Sequence, residues 1–142
     1  MAGAAAIVVA ALAVGYLALT WKPADPLSAM VAQGRELYGQ HCAACHGVTL
    51  EGQPEWRSPL ANGRMPAPPH DETGHTWHHS DQDLFTIVKG GLGAIVPGYE
   101  SDMPAFGEVL TDQQIRSVIE FIKSTWPRRE REVQAGRTAA DR

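Results

Sequence analysis

The chain has 142 residues, with 16 acidic and 12 basic side chains and a formal net charge of −4. This length supports one ordinary domain with an appendage and excludes a two-domain enzyme. The negative charge excludes a nucleic-acid binder that relies on a basic surface. The two cysteines, Cys42 and Cys45, lie too close together for a disulfide framework, so we expect them to serve local chemistry.

Residues 1–21 predict a transmembrane anchor. No charged side chain occurs from residue 2 to residue 21, and the first is Lys22. Twenty helical residues at about 1.5 Å each span about 30 Å, which is the hydrocarbon thickness of a bilayer. A cleaved signal peptide is the alternative, but no basic segment precedes Ile7. Lys22 lies just after the span, at its C-terminal end. Taken alone, this basic residue weakly favours a cytoplasmic position for that end.

A linker and a first amphipathic helix follow the anchor. Residues 22–25 contain a proline and read as the linker. Asp25-Pro26 predicts an N-cap followed by the residue best tolerated in the first turn, and the helix should run to about His41. The apolar or small residues with the three-and-four spacing of a buried face are Leu27, Met30, Val31, Gly34, Leu37 and Tyr38.

Two further helices are predicted from their capping patterns. One begins after Ser80, has Asp83 as its capping-box partner and ends at Gly90-Gly91. The other begins after Thr111, with Gln114 at the third helical position, and ends before Pro127. The residues expected to face the core are Leu84, Ile87 and Val88 in the former, and Ile115, Val118, Ile119 and Ile122 in the latter.

The rest of the chain predicts irregular structure. The connections 47–79 and 91–110 are long for a domain of this size, and a large apolar cofactor would organise them. Residues 128–142 offer little to bury, which predicts a polar C-terminal tail that is solvated or frayed.

The segment Cys42-Ala43-Ala44-Cys45-His46 has the spacing at which two thiols reach both vinyl groups of a haem while the adjacent imidazole ligates its iron. A zinc half-site is one alternative, and the histidines of residues 70–79 would have to complete it. A thioredoxin-like pair is another, but it would require a βαβ context that this helical sequence does not provide.

A six-coordinate haem needs a second axial ligand, and a thioether paired with imidazole raises the reduction potential. The chain has four methionines. Met1 is terminal, and Met30 lies on the predicted buried face of the first helix, where gap filling is the usual role. Met65 and Met103 therefore remain as candidates.

Several of these segments together resemble class I, monohaem, His/Met-ligated cytochrome c of a membrane-anchored bacterial type. The resemblance covers residues 26–127 and rests on Gly34 and Tyr38 before CAACH, on SDMPAF at residues 101–106, and on Ile119, Phe121 and Trp126 in the terminal helix. It implies an all-α class I cytochrome c fold around one covalent haem c, preceded by a single N-terminal transmembrane helix.

The resemblance also implies roles for individual residues. Cys42 and Cys45 carry the thioethers, His46 and Met103 are the axial ligands, and Gly34 lies near Phe121 where the first and last helices cross. The crossing is physically reasonable, because glycine lets two helix axes come close.

Side chains in the 47–79 connection are further candidates. Arg57 and the indole of Trp77 could stabilise the anionic haem propionates; alternatively, Trp56 and Trp77 cover the haem edge and Arg57 faces water. The second ring nitrogen of His46 should donate to a backbone carbonyl, for which Pro54 and Pro59 are the candidates.

No nucleophile and base pair is apparent, and filled axial positions leave no place for a small-molecule substrate. We therefore expect one-electron transfer rather than catalysis. By the resemblance, residues 22–142 lie in the bacterial periplasm, with the anchor in the cytoplasmic membrane and its N-terminus inside. The alternative functions are a haem-based ligand sensor and a copper-handling protein that uses His70, His75, His78 and His79.

The net charge of the domain and the length of its linker indicate what kind of partner it meets. Residues 24–124 contain 13 acidic and six basic side chains, a net charge of −7. Opposite charge would steer a basic partner, and a linker of about four to seven residues allows at most roughly 25 Å of travel. These observations favour a subunit of, or dedicated donor or acceptor for, one membrane respiratory or photosynthetic oxidoreductase.

Overall fold

The computed structural model describes residues 25–141 of the chain. Within them it has five α-helices: α1 Pro26–His41, α2 Ala43–His46, α3 Asp81–Gly90, α4 Asp112–Thr125 and α5 Arg128–Ala140. Two 3₁₀ turns lie at Thr76–His78 and Leu92–Ala94. Residues 25–141 contain no β-strand, in agreement with the all-α prediction.

The predicted anchor and residues 22–24 of the linker lie outside the described residues. Among residues 25–141, no helix combines the length and the apolarity that crossing a membrane requires.

The helix starts follow the predicted caps. The carboxylate of Asp25 accepts a hydrogen bond from the Ser28 backbone N–H at 3.2 Å, and Pro26 occupies the first turn. Ser80 and Asp83 form a capping box at α3. Thr111 and Gln114 form another at α4. Each box satisfies backbone N–H groups that the first turn of a helix leaves without partners, so the three predicted starts are confirmed.

Helices α1 and α4 cross at Gly34, which is buried. A Cβ atom on Gly34 would overlap the backbone carbonyl of Ser117 and lie 2.9 Å from Cβ of Phe121. The Ser117 hydroxyl donates to the side-chain oxygen of Gln33 at 2.8 Å across the same contact. The predicted approach of Gly34 and Phe121 is therefore confirmed.

The core lies between α1, α3 and α4. Its buried apolar residues are Leu37, Tyr38, Leu50, Trp77, Leu84, Phe85, Leu110, Ile115, Val118, Ile119, Phe121, Ile122 and Trp126. Leu27 was expected on the buried face but is 54% exposed. It lies in the first turn of α1, where it borders an open groove with Val31 and Ser124.

Residues 128–142 were predicted to be a polar tail that is solvated or frayed. The frayed part is wrong for Arg128–Ala140, which form α5, although most residues of this helix are exposed to solvent. Two polar residues of α5, Glu130 and Gln134, are buried. The Gln134 amide donates to the Asp81 carboxylate at 2.8 Å, and beyond the helix Asp141 accepts a hydrogen bond from the Ser80 hydroxyl at 2.6 Å. The segment packs against the turn Thr76–His78 and is held by polar partners at the start of α3, rather than by an apolar face of its own.

Candidate functional site

The end of α1 and the short helix α2 arrange the CAACH segment as one compact turn. Cys42 caps α1, and its backbone N–H donates to the Tyr38 carbonyl at 2.9 Å. Helix α2 then carries Cys45 and His46 and is capped by Gly47, whose φ of +82° favours glycine. The Tyr38 hydroxyl donates to the Gly47 carbonyl at 2.8 Å and ties this turn back to α1.

The two thiols are unpaired and differ in exposure. Cys42 is half-buried against the core, and Cys45 is exposed. Burial, with a smaller contribution from Cys45, raises the pKa of the Cys42 thiol to about 11. Two thiols on one turn, followed directly by an imidazole, are the donor set that a covalent haem requires. The residues present therefore fit haem c.

The imidazole of His46 is fixed by a backbone carbonyl. His46 is buried, and its Nδ1 lies 2.9 Å from the Pro68 carbonyl oxygen. Donation to that carbonyl places the proton on Nδ1 and leaves Nε2 with its lone pair for a metal. Burial lowers the pKa of His46 despite the opposing effect of the Pro68 hydrogen bond, so the ring is neutral at neutral pH.

The acceptor is thus Pro68, and the prediction of Pro54 or Pro59 is wrong. Gln53 and Ala67 pair at the base of the intervening loop: the Gln53 backbone N–H donates to the Ala67 carbonyl at 2.9 Å, and the Ala67 N–H donates to the Gln53 side chain at 2.8 Å. This pairing brings the residue after Ala67 beside α2, whereas Pro54 and Pro59 lie on the exposed part of the loop.

Met103 is half-buried and lies in the connection between α3 and α4. Its backbone N–H donates to the Ser101 hydroxyl at 3.1 Å. Three residues later, the Phe106 N–H donates to the Val88 carbonyl at 2.9 Å, and the Phe106 ring lies 6.2 Å from that of His41. Residues 100–106, called the Met103 segment from here on, are therefore attached to α3 and to His41, which precedes Cys42. Met65, in the other connection, is 37% exposed.

Arg57 and Trp77 lie in other local environments. The Arg57 guanidinium lies over the ring of Trp56, 4.4 Å from its centroid, and donates to the Thr73 carbonyl at 3.5 Å. Trp77 is buried, with its indole N–H 3.4 Å from the Glu72 carbonyl oxygen. Within residues 25–141, neither makes a hydrogen bond or ring contact with the CAACH side chains. Their role toward a propionate stays a prediction.

The four loop histidines do not form one cluster. His70 stacks on His46, with 4.0 Å between ring centroids, a contact that sequence reasoning missed. His75 stacks on Trp56 and lies 5.6 Å from the ring of His79. In the described part of the chain, no three His, Cys, Asp or Glu side chains are placed to hold a metal ion. The structure thus gives no support to copper handling by residues 70–79.

Apolar surface is concentrated in the two long connections. Outside the helices, the exposed large apolar residues are Val48, Leu60, Met65, Ile95, Val96, Tyr99 and Val109. All of them belong to the connections 47–79 and 91–110, which the sequence predicted to be organised by a large apolar cofactor. That a large cofactor organises these connections stays a prediction.

Comparison with known proteins gives two matches. Residues 31–126 match the cytochrome c family. The cbb3-type cytochrome c oxidase subunit CcoP of Azospirillum sp. (strain B510) is 31% identical over 108 residues, which are 75% of this chain and 31% of that protein. The chain therefore matches about a third of the length of this relative. No solved structure gives a significant match.

Proposed function

The chain belongs to the cytochrome c family, and from that premise we propose that it passes single electrons to or from one membrane oxidoreductase. As a c-type cytochrome it carries covalently bound haem c and is an electron-transfer protein. The haem, when bound, supplies a one-electron iron couple. The chain supplies the residues that attach the haem, the residues that ligate its iron, and the surface that contacts a partner.

In this proposal Cys42 and Cys45 attach the haem, and His46 and Met103 ligate the iron. The observation that carries the assignment is the turn in which two free thiols precede an imidazole held by the Pro68 carbonyl at 2.9 Å. With Nδ1 engaged, His46 presents Nε2 as its ligand atom. A thioether and an imidazole together as ligands would raise the reduction potential, which suits electron transfer.

Met103 is preferred to Met65 as the second ligand. Met103 is half-buried, in a segment that contacts the end of α1 through Phe106 and His41. Met65 is more exposed and lies in the loop of residues 53–68, called the 53–68 loop from here on. The Gln53–Ala67 pairing closes this loop at its base.

The test is to replace each methionine by leucine in the mature holoprotein. We expect Met103→Leu to abolish the long-wavelength charge-transfer band between thioether and ferric iron, and Met65→Leu to retain it. The opposite pattern would assign Met65. A band that persists in both variants would show that neither Met103 nor Met65 is the required ligand. A missing band in the unmodified protein would reopen the alternative of a ligand-binding haem sensor.

The proposed location is the outer face of the bacterial cytoplasmic membrane, with residues 1–21 as the anchor and the haem domain in the periplasm. The similarity to a cbb3-type oxidase subunit supports a membrane respiratory complex as the partner. Sequencing the mature N-terminus and fractionating the cells tests the anchor. We expect an intact N-terminus and release by detergent; a start after Ala13 with release by osmotic shock would make the protein a soluble carrier.

A further inference from the structure

One ion-pair group joins the two long connections. Arg64 lies in the 53–68 loop, and its guanidinium pairs with the Asp102 carboxylate through Nη1. Its Nη2 lies 3.4 Å from the Glu100 carboxylate. These acidic residues are 36 and 38 positions further along the chain, and Asp102 directly precedes Met103. One guanidinium therefore joins the 53–68 loop to the Met103 segment.

The backbone of Arg64 is fixed by its own turn. The Arg64 carbonyl accepts a hydrogen bond from the Leu60 N–H at 2.8 Å, and the Gly63 N–H donates to the Leu60 carbonyl at 2.8 Å. The Arg64 N–H donates to the Asn62 side chain at 3.0 Å. The guanidinium thus extends from an ordered turn rather than from a freely moving segment.

The other end of the same loop fixes the ring of His46. The Gln53–Ala67 pairing closes the loop, and the next residue, Pro68, accepts the hydrogen bond from His46. The 53–68 loop therefore contacts the proposed ligand His46 at its base and, through Arg64, the segment of the other proposed ligand, Met103.

We propose that Arg64 is a positioning residue for Met103: by pairing with Asp102 and Glu100, it holds the Met103 segment against the 53–68 loop and so favours ligation of the iron by the thioether. This inference rests on the proposed function, in which Met103 would be the second protein ligand of the iron. Releasing the ion pairs leaves Met103 in the chain but makes it easier to displace.

The experiment measures displacement of the thioether by imidazole in the full-length ferric holoprotein, followed by loss of the thioether-to-iron band. We expect Arg64→Gln to increase the apparent affinity for imidazole about two- to fivefold, the range that exposed ion pairs support. Arg128→Gln is the matched control, because it also removes one positive charge from an exposed ion pair, with Glu132 on α5. It should leave the affinity unchanged.

A charge exchange tests the contact itself. Arg64→Asp and Asp102→Arg should each increase imidazole affinity, since each places like charges together, and the double variant should restore a value near that of the unmodified protein. Raising the salt concentration should increase the affinity of the unmodified protein more than that of Arg64→Gln, because salt screens exposed pairs.

The outcomes separate the two claims. If the unmodified protein shows the band and Arg64→Gln behaves like Arg128→Gln, the positioning role is overturned and the ligand assignment stands. A double variant no better than the two single ones also overturns it. If the unmodified protein lacks the band, the ligand assignment fails and the positioning role fails with it.

Discussion

Trp126 donates its indole N–H to the backbone carbonyl of His70 at 2.7 Å, and His70 stacks on His46. Trp126 is buried at the end of α4, and the His70 ring is also held by a contact of 2.8 Å between its Nδ1 and the Thr76 hydroxyl. Burial, with His46 and His75 nearby, holds the pKa of His70 well below its ordinary value, so the stacked ring is neutral. Helix α4 thus reaches His46 through one intermediate residue, His70.

Replacing His70 should change the orientation of the His46 imidazole ring. We expect His70→Ala to destabilise the holoprotein by about 1–3 kcal/mol, since it removes a packed ring and leaves the Thr76 hydroxyl without that partner. It should also shift the electron paramagnetic resonance signal of the ferric haem, which reports the orientation of the imidazole plane. His70→Phe keeps a ring in the stack and should show the smaller spectral shift. Equal shifts in the two variants would show that stacking does not orient His46.

Gly34→Ala should weaken the crossing of α1 and α4. Its Cβ would overlap the Ser117 carbonyl, a backbone atom that cannot move aside alone. Forcing extra volume into a packed contact costs about 1–3 kcal/mol. Gly39→Ala is the matched control in the same helix, because a Cβ there meets nothing within 4 Å. That change should stabilise by about 0.5–1 kcal/mol, and denaturant unfolding of both variants checks the opposite signs.

The Asp81–Lys123 ion pair should make stability depend on acid pH. The two charged groups are 2.9 Å apart. Burial opposes ionisation of Asp81, but hydrogen bonds from Lys123 and Gln134 outweigh it and lower its pKa below 3.8. A depressed carboxyl pKa contributes stability that is present above the unfolded value and is lost as the pH falls through the folded value. The contribution of Asp81 should therefore begin to decline as the pH falls below about 3.8 and be lost as it falls through the lower pKa of the folded protein.

The measurement is the unfolding free energy of Asp81→Asn between pH 7 and pH 3. We expect the variant to be less stable at pH 7 by about 1–2 kcal/mol, with the difference shrinking in acid. Glu132→Gln serves as the control, because Glu132 is 68% exposed and pairs with Arg128 at 3.7 Å within one helix. A difference for Asp81→Asn that stays constant down to pH 3 would show that its charge does not stabilise the fold.

Electron delivery to the membrane partner should depend on salt and on reach. The net charge of −7 over residues 24–124 should attract a basic face on the partner, so association should slow as salt screens the attraction. A long flexible insert after Pro23 should reduce turnover if the domain works beside one complex. Turnover that is the same with both linkers and at all salt concentrations would contradict the fixed position and the steering, and would leave the haem assignment intact.

Local signals made the three main helices predictable. Asp25, Ser80 and Thr111 precede apolar patterns, and their side chains cap the helices that follow. Cap chemistry acts within a few residues, so the sequence contains the whole interaction. The CAACH turn is equally local, and for that reason its residues could be identified without a structure.

Contacts between distant residues were not predictable in the same way. Pro68 accepts from His46 across 22 residues, because Gln53 and Ala67 first close the loop. The burial of Gln134 depends on Asp81, 53 residues earlier. The one signal for α5 was its content of Arg, Glu, Gln and Ala, which are all good helix formers. The segment has little apolar surface, and its hydrogen-bond partners lie more than 50 residues earlier in the chain, so the local sequence does not reveal them.

The polar junction between α5 and α3 also has a consequence for the order of events during synthesis. Ser80 hydrogen-bonds to Asp141, 61 residues later, and the Asp81 N–H donates to Thr138, 57 residues later. Translation at about 5–20 residues per second separates the two groups by several seconds. The capping box of α3 needs only neighbouring residues, but the start of that helix gains its outer polar partners only once α5 has been synthesised and has reached the same compartment.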